Sequence, residues 1–65
     1  MNNNKTLAEL AEEYDAALEL LLKLQRRDKR KAKAGDREAV RTVAFREELI
    51  IETRTTAERL RHYYD

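Results

Sequence analysis

Residues 30–41 read RKAKAGDREAVR, and this stretch decides the fold. Gly35 is the only glycine in a chain without proline, and glycine readily takes the left-handed conformation that ends a helix. Asp36 follows directly and can cap the start of a new helix. Strong helix formers such as alanine, leucine, glutamate, lysine and arginine dominate both flanks. The sequence therefore predicts two long helices, over about residues 7–33 and 37–64, joined by a single turn.

The first helix has a recognisable start. Thr6 and Glu9 have the spacing of a capping box, in which each side chain accepts a hydrogen bond from the other residue's backbone amide. We expect residues 1–5, which precede this box, to form a frayed polar tail. Apolar residues then recur every three or four positions, as expected for one helix face: Leu7, Leu10, Ala11, Tyr14, Ala17, Leu18, Leu21 and Leu24.

The short connection forces the two helices to lie antiparallel. If Gly35 is the centre of the turn, positions equally distant from it lie side by side. The resulting pairs are all apolar: Leu7 with Tyr63, Leu10 with Leu60, and Leu21 with Leu49 or Ile50. We therefore predict an all-α fold, an antiparallel two-helix hairpin that forms a single domain over residues 1–65.

The second helix carries more apolar surface than one contact with the first helix can cover. Val40, Ala44 and Ile51 widen its apolar face, and Phe45 lies outside even this widened face. Domains of fewer than about 70 residues rarely gain more than roughly 3–5 kcal/mol from their core, and a chain without cysteine forms no disulfide. We therefore predict a homodimeric four-helix bundle, with these core and self-association residues: Leu7, Leu10, Tyr14, Leu18, Leu21, Leu24, Val43, Leu49, Ile50, Ile51, Leu60, Tyr63 and Tyr64.

The charges are unevenly placed although the net charge is only +1. Residues 23–41, which we call the basic tip, hold nine Lys or Arg against Asp28, Asp36 and Glu38, a net charge of +6, which leaves −5 for the remainder. Opposite charges at the two ends of the hairpin favour an antiparallel arrangement of two copies.

The basic tip has two interpretations. It could bind nucleic acid or an acidic protein through Arg26, Arg27, Lys29, Arg30, Lys31, Lys33, Arg37 and Arg41. Alternatively, these cations only stabilise a helix C terminus and a solvated turn. No aromatic residue interrupts the basic run, which disfavours binding by base stacking.

The residue inventory gives little support for catalysis. The chain has no serine, no cysteine and one histidine, so the usual serine and cysteine triads are excluded. Glu58 and His62 are spaced to touch one metal ion, but a solvated pair near the end of the helix is the favoured interpretation. We expect no enzyme activity, no cofactor, no metal and no small-molecule substrate.

The hydropathy pattern predicts a cytoplasmic protein. No apolar run approaches the length of a membrane-spanning helix, so we expect no transmembrane segment. Residues 1–5, MNNNK, lack the apolar stretch of a signal peptide.

Arg46 falls within the apolar face of the second helix and has two alternatives. It could be buried as an ion pair with Asp28, the nearest carboxylate on the first helix. Equally, it could cover apolar surface with its aliphatic stem and extend its charged end into water.

Residues 56–64, TAERLRHYY, resemble short two-helix proteins, uncharacterised in function, that bacterial phage-like and conjugative elements encode. The resemblance extends weakly over the whole chain. It implies a bacterial origin and brings no known active residues.

Overall fold

The helices of the computed structural model agree with the predicted bounds over the residues that the structure describes. The structure describes residues 6–63, in which α1 spans Leu7–Lys33 and α2 spans Arg37–Tyr63. The two helices pack against each other along their length, which confirms the predicted all-α hairpin. The predictions for residues 1–5 and for Tyr64 lie outside the described residues.

The capping box at the start of α1 is present. Thr6 has an extended backbone, with φ −70° and ψ 162°, and its Oγ1 accepts a hydrogen bond from the Glu9 amide at 3.1 Å. Glu9 Oε1 in turn accepts from the Thr6 amide at 3.1 Å. Two backbone donors that have no partner within the helix are therefore satisfied.

The turn ends α1 in a Schellman motif. Gly35 has a φ of +105°, and its amide donates to the Ala32 carbonyl at 3.1 Å, while the Asp36 amide donates to the Lys31 carbonyl at 3.1 Å. These are the two bonds that define the motif. A Cβ added at Gly35 would meet nothing within 4 Å, so the backbone angle, rather than lack of space, selects glycine here.

Asp36 starts α2 as its N-cap. Its Oδ1 accepts hydrogen bonds from the backbone amides of Glu38 at 3.0 Å and Ala39 at 3.2 Å. A carboxylate at this position also interacts favourably with the positive end of the helix dipole. One residue in the left-handed conformation and one cap therefore suffice to reverse the chain.

The two helices meet along heptad positions, with spacings that alternate between four and three residues. We call these positions the seam: residues 7, 11, 14, 18, 21, 25, 28 and 32 of α1, and residues 39, 43, 46, 50, 53, 57 and 60 of α2. Every buried residue of the described chain lies on the seam: Ala11, Gln25, Asp28, Ala39, Ile50 and Ala57.

The seam refines the predicted pairs. Ile50 is buried and is on the seam, whereas its neighbour Leu49 is exposed, so Ile50 is the residue level with Leu21. Tyr63 is also exposed and does not close the end of the hairpin against Leu7. The reason is the heptad spacing, because Tyr63 lies three residues beyond Leu60, where the alternation of the seam requires a step of four.

Candidate functional site

A polar layer interrupts the seam near the turn. Arg46 Nη1 donates to Asp28 Oδ2 at 2.5 Å, and the two side chains are only 14% and 8% exposed. The structure therefore shows the first of the two alternatives for Arg46, the buried ion pair. Both residues occupy seam positions, so their side chains meet between the two helices.

Gln25 completes this layer. Its Oε1 accepts a hydrogen bond from Arg46 Nη1 at 3.3 Å, and its Nε2 donates to the Val43 carbonyl at 2.9 Å and to Glu47 Oε2 at 3.3 Å. Within residues 6–63, no buried side-chain nitrogen or oxygen lacks a hydrogen-bond partner. A fully satisfied polar layer is compatible with a stable core.

The pKa of Asp28 lies below its ordinary value. The hydrogen bond from Arg46 is the main cause, and the nearby charges of Arg27 and Arg46 act in the same direction, while burial opposes them. Arg27 Nε also donates to Asp28 Oδ1 at 3.4 Å. Asp28 is therefore ionised at neutral pH, and it accepts hydrogen bonds from both arginines.

The polar layer has the chemistry to fix the register of α1 against α2. Polar positions in a mostly apolar heptad seam favour one register, because a slip would bury a charge without its partner. In the observed register, Arg46 donates to both Gln25 and Asp28.

The basic side chains of the basic tip form an exposed surface. All nine of its lysine and arginine residues are exposed, including the eight candidate contact residues Arg26, Arg27, Lys29, Arg30, Lys31, Lys33, Arg37 and Arg41. Of its three acidic residues, Asp28 is turned inward to Arg46 and Asp36 accepts backbone amides. The outward charge of the tip is therefore strongly positive.

The opposite end of the hairpin is acidic. Five carboxylates lie in the first half of α1: Glu9, Glu12, Glu13, Asp15 and Glu19. Asp15 forms an ion pair with Arg61 across the two helices. The folded hairpin thus separates charge along its length, as the sequence predicted.

The candidate core and self-association residues fall into three groups. Ile50 is buried, and six are half-buried: Leu10, Leu18, Leu21, Leu24, Val43 and Leu60. Five are exposed: Leu7, Tyr14, Leu49, Ile51 and Tyr63. Leu20, Val40 and Phe45 are further exposed large apolar residues, so the hairpin leaves considerable apolar surface in contact with solvent.

Sequence reasoning missed two buried residues, Gln25 and Ala39. The signal that finds them is strict heptad spacing, since both continue the seam by steps of three and four residues. Gln25 gives no signal in an apolar pattern because its side chain is polar. Ala39 gives little signal because alanine is small and common throughout the chain.

The structure adds two observations about metals and membranes. Among the described residues, no group of three His, Cys, Asp or Glu side chains could hold a metal ion, and Glu58 and His62 are both exposed. Neither α1 nor α2, over the residues described, combines the length and the apolar character that crossing a bilayer requires.

Comparison with known proteins assigns this chain to no family. No protein-family model matches the chain, and neither the curated proteins nor the solved structures gave a match. The resemblance to proteins of bacterial mobile elements stays a prediction. Function is therefore inferred from the surfaces of the hairpin.

Proposed function

We propose that this chain is a non-enzymatic, self-associating helical interaction protein of the cytoplasm, a homodimeric four-helix bundle that serves as an adaptor or small regulator. The observation that carries this proposal is the composition of the core. In the described residues, the buried apolar side chains are three alanines and Ile50, whereas Leu20, Phe45 and Tyr63 are exposed.

The energetics favour burial of these exposed residues against a second copy. A large apolar side chain contributes about 1.5–3 kcal/mol when it moves from water to a buried site. Three alanines and one isoleucine bury much less apolar area than a core of leucines would. A lone hairpin of this size is therefore marginal, and association supplies the apolar contacts that it lacks.

Light scattering at two concentrations tests the proposal. We expect a mass of about twice 7.7 kDa at micromolar concentration. Dilution should lower the dimer fraction and the helical circular dichroism together, because dimerisation and folding are linked. A fully helical monomer at micromolar concentration would contradict self-association.

A second candidate function, binding of nucleic acid through the basic tip, is favoured by the exposure of all nine of its basic side chains. Phosphate contacts release counterions, so such binding weakens steeply with salt. We expect the affinity for a DNA duplex or an RNA to fall by roughly 1,000-fold between about 50 and 200 mM salt if six phosphates are contacted.

Charge-matched variants locate the nucleic-acid contact. Replacing Arg30 and Lys33 with glutamine should reduce the slope of log affinity against log salt by about two, since each phosphate contact contributes roughly 0.9. The control replaces Arg54 and Arg59, two exposed arginines outside the tip, with glutamine and should leave the slope unchanged. Absence of binding to duplex DNA and RNA at low salt removes this candidate.

A further inference from the structure

The two broad sides of the hairpin differ in composition. Near the turn, a shallow groove on one side is lined by Arg27 and Lys31 of α1 and by Thr42 of α2. Heptad steps from these residues define what we call the phenylalanine side. Its uncharged members are Leu10, Ala17, Leu20 and Leu24 of α1, with Thr42, Phe45, Leu49, Thr56 and Tyr63 of α2, and its charged members are Glu13, Arg27, Lys31, Glu38, Glu52 and Arg59.

The opposite side is charged. It carries the ion pair between Asp15 and Arg61, and heptad steps from these two residues lead to further charged residues at most positions: Glu12, Glu19, Arg26, Lys29, Lys33, Glu47, Arg54 and Glu58. Val40 and Ile51 are exposed on this side but lie among those charges. A partner that covered this side would therefore have to desolvate many ionised groups.

The phenylalanine side carries fewer charged residues than the opposite side and is therefore less costly to cover. Phe45 is 68% exposed, and no charged residue separates Ala17, Leu20 and Leu24 along their row on α1. Thr56 Oγ1 donates to the Glu52 carbonyl of its own helix at 2.9 Å. Burial of Thr56 by a partner would therefore leave no hydroxyl donor unsatisfied.

On α1, the charges that bound this side are complementary to those of a second copy, whereas Glu52 of α2, level with Leu20, would lie beside its own counterpart. Glu13 and Arg27 occupy the same heptad position as Leu20, seven residues before and after it. A two-fold axis at Leu20 would place Glu13 beside the partner's Arg27, and Arg27 beside the partner's Glu13. The acidic end of each hairpin would then lie against the basic tip of the other.

The area of the phenylalanine side is also sufficient for a dimer interface. Two helices about 40 Å long and about 10 Å in diameter present a broad side of roughly 800 Å², which is about the area that each partner contributes to a standard protein interface. We propose that a second copy of this chain packs antiparallel onto the phenylalanine side, related by a two-fold axis at Leu20. This inference rests on the proposed self-association and specifies its interface.

Matched glutamate substitutions test which side forms the interface. Phe45→Glu and Ile51→Glu alter exposed apolar residues of the same helix, 68% and 54% exposed, on opposite sides. We expect Phe45→Glu to raise the dimer dissociation constant by about 1,000-fold, because each two-fold interface loses two buried rings. Ile51→Glu should change it by less than about tenfold, as expected for a solvent-facing site.

The outcomes separate this inference from the proposed function. If the unaltered protein is a monomer, self-association itself fails. If it is a dimer that Ile51→Glu dissociates as strongly as Phe45→Glu, or more strongly, self-association stands and the assignment of the interface is wrong.

Single cysteines test the orientation without disturbing the fold, because the natural chain has none. Leu20→Cys should form a disulfide within the dimer on mild oxidation, since the two-fold axis brings the two residues together. Ala34→Cys, at the exposed turn, should not, because antiparallel turns lie about 40 Å apart. Rapid crosslinking through position 34, or none through position 20, would overturn the antiparallel model.

Discussion

Replacing Arg46 with alanine is expected to unfold most of the chain at room temperature. The substitution leaves the carboxylate of Asp28 buried without its principal hydrogen-bond donor and leaves Gln25 Oε1 without the donor that it has in the native structure. Only the longer contact from Arg27, at 3.4 Å, then remains to Asp28, and removal of one partner of a buried ion pair is strongly destabilising. Circular dichroism of Arg46→Ala against temperature measures the effect.

The control removes both charges together. Asp28→Leu with Arg46→Leu should remain helical, because apolar residues of similar volume commonly replace a buried ion pair without loss of stability. An Arg46→Ala protein that melts like the exposed-site variant Arg54→Ala would show that the pair contributes nothing to folding.

The same pair makes stability depend on pH in a predictable direction. Asp28 has a lower pKa in the folded state than its ordinary value of 3.8. Its contribution to stability is therefore present above pH 3.8 and is lost as the pH falls through the lower folded-state pKa. The double leucine variant should lose less stability over this acid range than the natural chain does.

Ile50→Ala is expected to destabilise the protein by about 2–5 kcal/mol, the usual range for truncation of a buried aliphatic side chain. Ile50 is 3% exposed and is the one large apolar residue that is buried in the described chain. The loss is comparable with the whole stability of a domain of this size. Urea denaturation at a fixed protein concentration measures it.

Ile51→Ala is the matched control for this truncation. It removes the same atoms from the next residue, which is exposed on the charged side of the hairpin, and should change the free energy of unfolding by less than about 0.5 kcal/mol. Equal losses for the two variants would show that the seam is assigned to the wrong face of α2.

The fold was predictable from the sequence because the signals are local. The single glycine, the caps at Thr6 and Asp36 and the helix-forming composition each act within a few residues, and all three appear in the structure. The register of the two helices was harder to predict. Two apolar residues in succession, Leu49 and Ile50, satisfied the pattern equally well, and only the packing of the two helices shows that Ile50 is buried.

The polar layer was predictable only in part. Charge pairing indicated Arg46 and Asp28 as partners, but whether Arg46 lies inward depends on the rotation of α2, which no local pattern determines. Gln25 joins them through hydrogen bonds to α2, and a neutral amide gives no signal in a charge or hydropathy pattern. The sequence therefore left the buried pair as one of two alternatives and did not indicate the network.

The position of the polar layer affects how the chain folds. Asp28 and Arg46 are separated by 18 residues, whereas Asp15 and Arg61 are separated by 46. The entropy lost on closing a loop grows with its length, and contacts between near neighbours in sequence form fastest. A chain that folds outward from Gly35 brings the polar layer together early, and the two helices are aligned before their far ends meet.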